Sequence, residues 1–130
     1  MASKDPITCH VLDTLTGRPA AGVKVSLILD PLAHFELSPV VYAAVTNSDG
    51  RITNWTAPEG RTVTVDMILQ KAGEADKTTV WKLKFFKGEY YGEGKTFWPE
   101  VDLIFYVKHG EHYHVPLLLG PYSYTTYRGS

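Results

Sequence analysis

The stretch VWKLKFF, residues 80–86, alternates apolar and charged side chains over most of its length. In an extended chain Trp81, Leu83 and Phe85 share one face, and two lysines share the other. This period of two predicts a strand that buries one face and exposes the opposite one. Residues 23–29, which read VKVSLIL, repeat the pattern and predict a second strand of the same kind.

Strand-like runs recur along the chain and are separated by turn residues. The other runs are residues 7–15, 40–46, 62–69, 101–107, 112–119 and 122–127. The turn sequence Thr-Gly-Arg-Pro at 16–19 predicts that the first two strands form a pair, and Asn-Ser-Asp-Gly at 47–50 predicts a hairpin. Residues 87–94 fit a single helical turn or a loop. About eight short strands with little room for helix predict an all-β sandwich or barrel.

Length and composition are those of an ordinary globular protein. The 130 residues are 44% hydrophobic and 21% charged, and the formal net charge is −1. These values predict one domain over residues 1–130, with residues 1–6 as a flexible N-terminus, and they argue against nucleic-acid binding or a polybasic membrane patch. The single cysteine, Cys9, is interpreted as a small buried hydrophobe. Because no signal-like or membrane-spanning apolar run is present, we expect a soluble, intracellular protein.

Histidines are the first candidates for chemistry. His112 and His114 share the polar face of one predicted strand, and His10 lies on the polar face of the first strand. A His-x-His pair supplies two ligands of a zinc site, with His10 or a carboxylate as the third. The alternative is that each is a solvated strand histidine. His34 and His109 fall in predicted loops and are interpreted as surface residues.

The last residues form a second group of candidates. The chain ends in HYHVPLLLGPYSYTTYRGS, residues 112–130, which is rich in aromatic side chains. We expect the tyrosines that precede Arg128 to pack the approach to it, and these are Tyr122, Tyr124 and Tyr127. Ser130 adds a hydroxyl and an α-carboxylate, and Arg51 follows the predicted hairpin turn. A place lined by imidazole, guanidinium and aromatic groups suits a planar, polar, anionic or urea-like small molecule.

Three blocks of sequence resemble a known family. They are HVLDTLTGRPAAGV at residues 10–23, TNSDGR at 46–51 and HYHVPLLLGPYSYTTYRGS at 112–130. In this order they are similar to the signature blocks of the transthyretin-related 5-hydroxyisourate hydrolases, and the resemblance is weak only over residues 59–80. The terminal Tyr-Arg-Gly-Ser is its most specific element, because transthyretin itself, a hormone carrier with the same fold, lacks it.

The resemblance implies a fold, an assembly and a reaction. The fold would be a β-sandwich of two four-stranded sheets with one short helix. The assembly would be a homotetramer, a dimer of dimers, with active sites at the dimer-dimer interface. The reaction would be hydrolysis of 5-hydroxyisourate to 2-oxo-4-hydroxy-4-carboxy-5-ureidoimidazoline in urate degradation. Water would attack the lactam carbonyl with help from histidine, and neither a metal nor a cofactor would take part.

The same motifs imply site residues. The catalytic positions would be His10, Arg51, His114 and Ser130, and the substrate-binding positions would be Arg51, Tyr127, Arg128, Gly129 and Ser130. Histidine transfers protons near neutral pH, and arginine stabilises an oxyanion or holds carbonyl groups. The resemblance gives no catalytic role to His112, and Tyr113 is interpreted as structural. Which histidine acts as the general base stays open.

Two other interpretations are open as well. A transthyretin-like carrier would bind a hydrophobic, hormone-like ligand without catalysis, but its channel would favour apolar linings over His10, Arg51, His114 and Arg128. A purely structural sandwich would leave the Tyr-Arg-Gly-Ser end without a purpose. The cytoplasm is the expected compartment and the peroxisome the alternative, because the sequence shows no Ser-Lys-Leu type of ending.

Overall fold

Two β-sheets dominate the computed structural model, which describes residues 4–30 and 40–130. The strands are β1 (Ile7–Asp13), β2 (Arg18–Pro19), β3 (Lys24–Leu29), β4 (Val41–Val45), β5 (Arg51–Ile52), β6 (Thr79–Phe85), β7 (Val101–Val107), β8 (Tyr113–Leu119) and β9 (Tyr124–Thr126). The helices are α1 (Val65–Glu74) and α2 (Lys87–Tyr91). His34 lies outside the described residues, as does half of the N-terminal segment that the sequence predicts to be flexible.

The two sheets confirm an all-β sandwich. One sheet has the order β2-β1-β8-β9, with β5 also paired to β1, and the other has the order β4-β3-β6-β7. The pair β1–β8 is parallel, and the remaining pairs are antiparallel. The expected count of four strands per sheet and one short helix differs from this arrangement. The first sheet gains a fifth member because β2 and β5, each two residues long, both pair with β1, and a second helix is present.

The core lies between the sheets and is built by strand alternation. Trp81, Leu83 and Phe85 of β6 are fully buried, as the pattern of residues 80–86 predicts, and Cys9 and Val11 face them from β1. Each large apolar side chain buried in this way contributes about 1.5–3 kcal/mol. Burial raises the pKa of the Cys9 thiol to about 12, so Cys9 is a buried hydrophobe as expected.

The predicted partners of the early strands are wrong. After the turn at 16–19 the chain adds only β2 to β1, and β3 joins the opposite sheet between β4 and β6. The turn at 47–50 is present, because Gly50 N donates to Asn47 O, but the strands on its two sides belong to different sheets. Alternation fixes which face of a strand is buried and carries no information about its partner.

The predicted strand at 62–69 is also wrong, because this segment enters α1. Thr64 caps the helix, and its side-chain oxygen accepts a hydrogen bond from Met67 N at 3.1 Å. Val65, Leu69 and Ala72 are buried, and their spacing of four and then three residues is helical rather than extended. Met67, which would face the core in a strand, is half exposed.

Residues 87–94 begin with α2, whose tyrosines attach it to the first sheet. The hydroxyls of Tyr90 and Tyr91 donate to the carboxylate of Asp13 at 2.8 and 2.9 Å. Burial alone would raise the pKa of Asp13, but these two hydrogen bonds, together with those from the backbone of Leu15 and Thr16, outweigh burial and lower that pKa. The hydrogen bonds from Tyr90 and Tyr91 therefore hold the end of β1, the strand that carries His10.

Candidate active site

Strand pairing brings three of the predicted catalytic side chains together. In β1–β8 Thr8 pairs with His114 and His10 with Pro116, while in β1–β5 His10 pairs with Arg51. The ring centroids of His10 and His114 are 6.4 Å apart. His10 alternates with the buried Cys9, and His114 alternates with buried neighbours in β8, so both rings point away from the core as the sequence predicts.

A cavity of about 210 Å³, called here the site cavity, opens beside these strands. Its lining residues are Lys4, Thr8, Cys9, Arg51, Thr53, His112, His114 and Ser130. Within the part of the chain that the structure describes, cationic and imidazole side chains line it and no carboxylate side chain does. Such a lining favours a ligand that is anionic or rich in carbonyl oxygens.

His114 is partly buried at this cavity, and a hydrogen bond to Thr8 holds its ring. Its Nδ1 lies 2.8 Å from Thr8 Oγ1. Burial lowers its pKa below the ordinary value of 6.5, and the positive charge of Arg51 and the nearby His10 lower that pKa further. The ring is therefore largely neutral at neutral pH and is able to accept a proton.

The turn at 47–50 places Arg51. Asn47 Oδ1 accepts hydrogen bonds from the backbone N–H of Asp49 and of Arg51, and Gly50 has a φ of +74°. A Cβ at Gly50 would collide with the backbone oxygen of Val11, so the turn requires glycine. Within the described residues the guanidinium of Arg51 makes no hydrogen bond or ion pair, which leaves its donors free for a ligand.

The C-terminal residues reach the same place through Gly129. Gly129 N donates to His114 O at 2.9 Å, and the two residues form an antiparallel bridge. A Cβ on Gly129 would lie 2.8 Å from Cδ2 of the His114 ring, so only glycine fits without displacement. The bridge places Ser130 at the site cavity.

Tyr127 and Arg128 lie elsewhere. They line a second cavity of about 520 Å³, called here the edge cavity, between β7 and the residues that follow β9. The guanidinium of Arg128 lies 4.5 Å above the ring of Tyr113, and its Nη2 is 3.5 Å from Glu111 Oε1. In this structure Arg128 contacts Tyr113, and the three tyrosines expected to pack the approach to it are exposed: Tyr122, Tyr124 and Tyr127.

The structure adds residues that sequence reasoning did not select. Lys4, Thr8 and Thr53 line the site cavity, and His112, which received no catalytic role, lies there too. Thr8 precedes His10 by two residues, so strand alternation alone could have placed it on the same face. In residues 4–30 and 40–130 no group of three or more His, Cys, Asp or Glu is arranged to hold a metal ion. His109 is exposed, as expected.

Comparison with known proteins agrees with this architecture. The HIUase/Transthyretin family matches residues 7–129. The 5-hydroxyisourate hydrolase of Mesorhizobium japonicum is 39% identical over 131 residues, which cover 95% of this chain and 91% of that protein. The solved 5-hydroxyisourate hydrolase of Klebsiella pneumoniae superposes with a TM-score of 0.64 and 27% identity, over 95% of this chain and 98% of that one. Transthyretin from Sparus aurata has a TM-score of 0.69 over 95% and 96% of the two chains, and its 22% identity shows likeness of fold alone.

Fold and site together define a class of protein. It is a transthyretin-like sandwich in which imidazole and guanidinium groups line a cavity on one sheet. With a match over almost its whole length, the chain belongs to the HIUase/Transthyretin family. None of the helices in the described segments is both long and apolar enough to span a membrane.

Proposed function

We propose that this protein hydrolyses 5-hydroxyisourate to 2-oxo-4-hydroxy-4-carboxy-5-ureidoimidazoline, a step of urate degradation. The observation that supports this most directly is the site cavity, where Arg51 and His114 meet and His10 lies 6.4 Å from His114 between ring centroids. Full-length similarity to a protein named 5-hydroxyisourate hydrolase supports the same reaction. An oxidised purine presents carbonyl groups that suit a cationic cavity.

The reaction needs a base, an oxyanion partner and an acid. A base removes a proton from water as the oxygen attacks the lactam carbonyl carbon, and the carbonyl oxygen becomes an oxyanion. The carbon–nitrogen bond then breaks, and an acid gives a proton to the leaving nitrogen while the carbonyl carbon becomes a carboxylate. This sequence balances with water as the only co-reactant, so we propose a reaction without metal or cofactor.

The proposed roles follow from the side chains that line the site cavity and from His10, which lies beside it without being one of the lining residues. His10 and His114 share proton transfer, because both imidazoles lie on the same face and the pKa of His114 keeps its ring neutral near pH 7. Arg51 stabilises the oxyanion with its free guanidinium. Ser130 orients water or substrate through its hydroxyl or its α-carboxylate, and Gly129 holds Ser130 in place through its bridge to β8.

We further propose that the protein works as a homotetramer of single-domain chains, with sites at the dimer-dimer interface. The site cavity opens on an outer face of a sheet, where a second copy would enclose it. Tyr127 and Arg128 are proposed substrate contacts that depend on this assembly, because in one chain they line the edge cavity. The proposed compartment is the cytoplasm, with the peroxisome as the alternative. The unpaired Cys9 fits a reducing compartment.

A direct assay tests the reaction. Urate and a uricase generate 5-hydroxyisourate in the cuvette, and the ultraviolet decay of that intermediate is compared with and without the protein. The wild-type protein should accelerate the decay. Deletion of residues 128–130 should abolish the acceleration, and His10→Asn and His114→Asn should each lower kcat by about 10²–10⁴-fold, the usual contribution of general acid–base catalysis.

Oligomeric state is the control for these variants. Size-exclusion chromatography with light scattering must show that each variant keeps the wild-type mass. Wild-type rates in both histidine variants would refute their roles. A folded wild-type protein that leaves the decay at its spontaneous rate would refute the hydrolase proposal and favour a carrier, which binding of thyroxine-type iodinated phenols would then test.

A further inference from the structure

The hydroxyl of Thr8 stands between two histidines of β8. Thr8 Oγ1 lies 2.8 Å from Nδ1 of His114 and 3.3 Å from Nε2 of His112. The parallel register places Thr8 directly beside His114, and the residue is only 2% exposed. Bulk water therefore does not compete for this hydroxyl, and its hydrogen bonds go to the two imidazoles.

We propose that Thr8 is a positioning residue that accepts the Nδ1 proton of His114, so that Nε2 of that ring is the nitrogen that takes the proton from water. The inference rests on the proposed hydrolysis, because it says which nitrogen of the cavity histidine does the chemistry. Thr8 itself does not touch the reacting atoms. It acts by holding the ring in one tautomer and one orientation.

The donor and acceptor inventory supports this assignment. A threonine hydroxyl has one proton to give and lone pairs for incoming donors. Thr8 satisfies both histidines at once if it accepts from Nδ1 of His114 and donates to Nε2 of His112. Within the described residues Nε2 of His114 makes no hydrogen bond, so it is the nitrogen left for a ligand in the site cavity.

The proposed direction also survives the catalytic cycle. When Nε2 of His114 gains a proton, both ring nitrogens carry hydrogen, and the bond from Nδ1 to Thr8 stays as it was. If Thr8 instead donated to Nδ1, the neutral ring would carry its proton on Nε2 and could not act there as a base. His112 favours the first arrangement, because it gives the single hydroxyl proton another acceptor.

Nitrogen NMR of the wild-type protein tests the tautomer without any turnover. The protein is labelled with ¹⁵N-histidine, and the His114 signals are assigned by their loss in His114→Asn. Above the pKa of His114 we expect the proton on Nδ1 and a bare Nε2. A proton on Nε2 would overturn the proposal, whether or not the protein hydrolyses 5-hydroxyisourate.

Three variants test the consequence for rate. Thr8→Val keeps the shape of the side chain and removes the hydroxyl, so kcat should fall about tenfold to a hundredfold with KM nearly unchanged, the usual scale for losing the partner that orients a histidine. The neutral His114 ring should then shift towards the Nε2–H tautomer. Thr8→Ser keeps the hydroxyl and should stay within about threefold of wild type.

Thr79→Val is the matched control. Thr79 is also buried, and its hydroxyl also has two partners, since it donates to Val107 O and accepts from Trp81 Nε1, but it lies in the opposite sheet. Its variant should keep kcat and the His114 tautomer. Equal losses of kcat in Thr8→Val and Thr79→Val, or a Thr8→Val protein with the wild-type tautomer, would overturn the positioning role. A wild-type protein without turnover would instead overturn the proposed hydrolysis, while the nitrogen spectrum still reports on Thr8.

Discussion

Two cavities lie on either side of β8, and the last residues of the chain divide between them. The site cavity takes Ser130, beside imidazole and guanidinium groups. The edge cavity takes Tyr127 and Arg128, and most of its other lining comes from β7. His114 borders both cavities. Four consecutive residues thus serve two different environments.

The division falls at Gly129, and strand alternation does not account for it. Arg128 and Ser130 are two residues apart and would share one face of a regular strand, yet they line different cavities. Gly129 forms a bridge with His114, which fixes the register of the whole end, and Arg128 falls on the side of Tyr113. The four residues of this short motif therefore do not form a single site. They are divided between two cavities, and each must be tested alone.

Among the variants that compare the two cavities, Arg51→Gln should produce the largest effect, because Arg51 lies at the site cavity and its guanidinium has no hydrogen bond or ion pair within the described residues. Removing the donor to a developing oxyanion should lower kcat by about 10²–10³-fold. The pKa of His114 should rise towards 6.5, since burial still lowers it but the charge of Arg51 no longer does. A higher pKa means that the neutral base form is lost earlier as the pH falls, so the acid limb of the kcat profile moves to higher pH.

NMR titration of His114 and a pH series of kcat measure these two shifts. Arg18→Gln is the matched control, because Arg18 is an exposed arginine of β2 in the same sheet but away from the cavity. An unchanged His114 pKa in Arg51→Gln would mean that the charge of Arg51 does not act on the His114 ring. The proposed electrostatic coupling within the site cavity would then be refuted.

The sequence predicts the layers of this fold well and its connections poorly. Alternation in residues 23–29 and 80–86 identified buried faces correctly, because side-chain period is a local property. The partner of a strand depends on contacts far away in sequence, which is why the predicted pairing of the first two long strands is wrong and β3 pairs with β4 and β6 instead. Around the start of α1 the alternation of Val63, Val65 and Met67 resembles a strand, although the spacing of Val65 and Leu69 fits a helix.

For the candidate site, the sequence motifs identify individual residues, and the structure shows how these residues are arranged in space. Arg51 and His114 could be selected from sequence, but only pairing through β1 shows that they share a cavity. The separation of Arg128 from Ser130 is not predictable from the pattern, because residues at this spacing share a face of a regular strand and only the folded structure shows that they line different cavities. Thr8 was overlooked because a threonine in a strand is ordinary and its role depends on two histidines more than a hundred residues away.

Gly129→Ala should produce an intermediate effect by disturbing the point where the two cavities meet. The new Cβ would lie 2.8 Å from Cδ2 of the His114 ring and 3.1 Å from Cγ of Pro116. Overpacking of this kind costs about 1–3 kcal/mol, and the ring is the part most able to move. We expect kcat to fall about tenfold because the displaced imidazole loses its alignment.

Gly88→Ala is the matched control for Gly129→Ala. A Cβ at Gly88 would meet Pro99 O at 3.2 Å, so that variant is crowded as well, but it lies in α2 and does not contact His114. The midpoint temperature of thermal unfolding should fall in both variants, whereas kcat should fall only in Gly129→Ala. A full-rate Gly129→Ala protein would show that the close contact between Gly129 and the ring is not needed for alignment.

Arg128→Ala should produce the smallest effect, and it separates the two cavities most clearly. Arg128 is held by an exposed ion pair with Glu111 and by the ring of Tyr113, and such contacts are weak enough for the guanidinium to turn towards a substrate in the proposed tetramer. We expect KM to rise about threefold to tenfold with kcat retained, the scale of one weak contact to substrate. Arg61→Ala, which removes another exposed guanidinium, serves as the control and should match wild type.

A loss of kcat as large as that of Arg51→Gln would place Arg128 at the reacting atoms, and the site and edge cavities would then act as one site in the proposed tetramer. An unchanged KM would instead confine Arg128 to the edge cavity, so that only Gly129 and Ser130 of the terminal motif would serve the reaction.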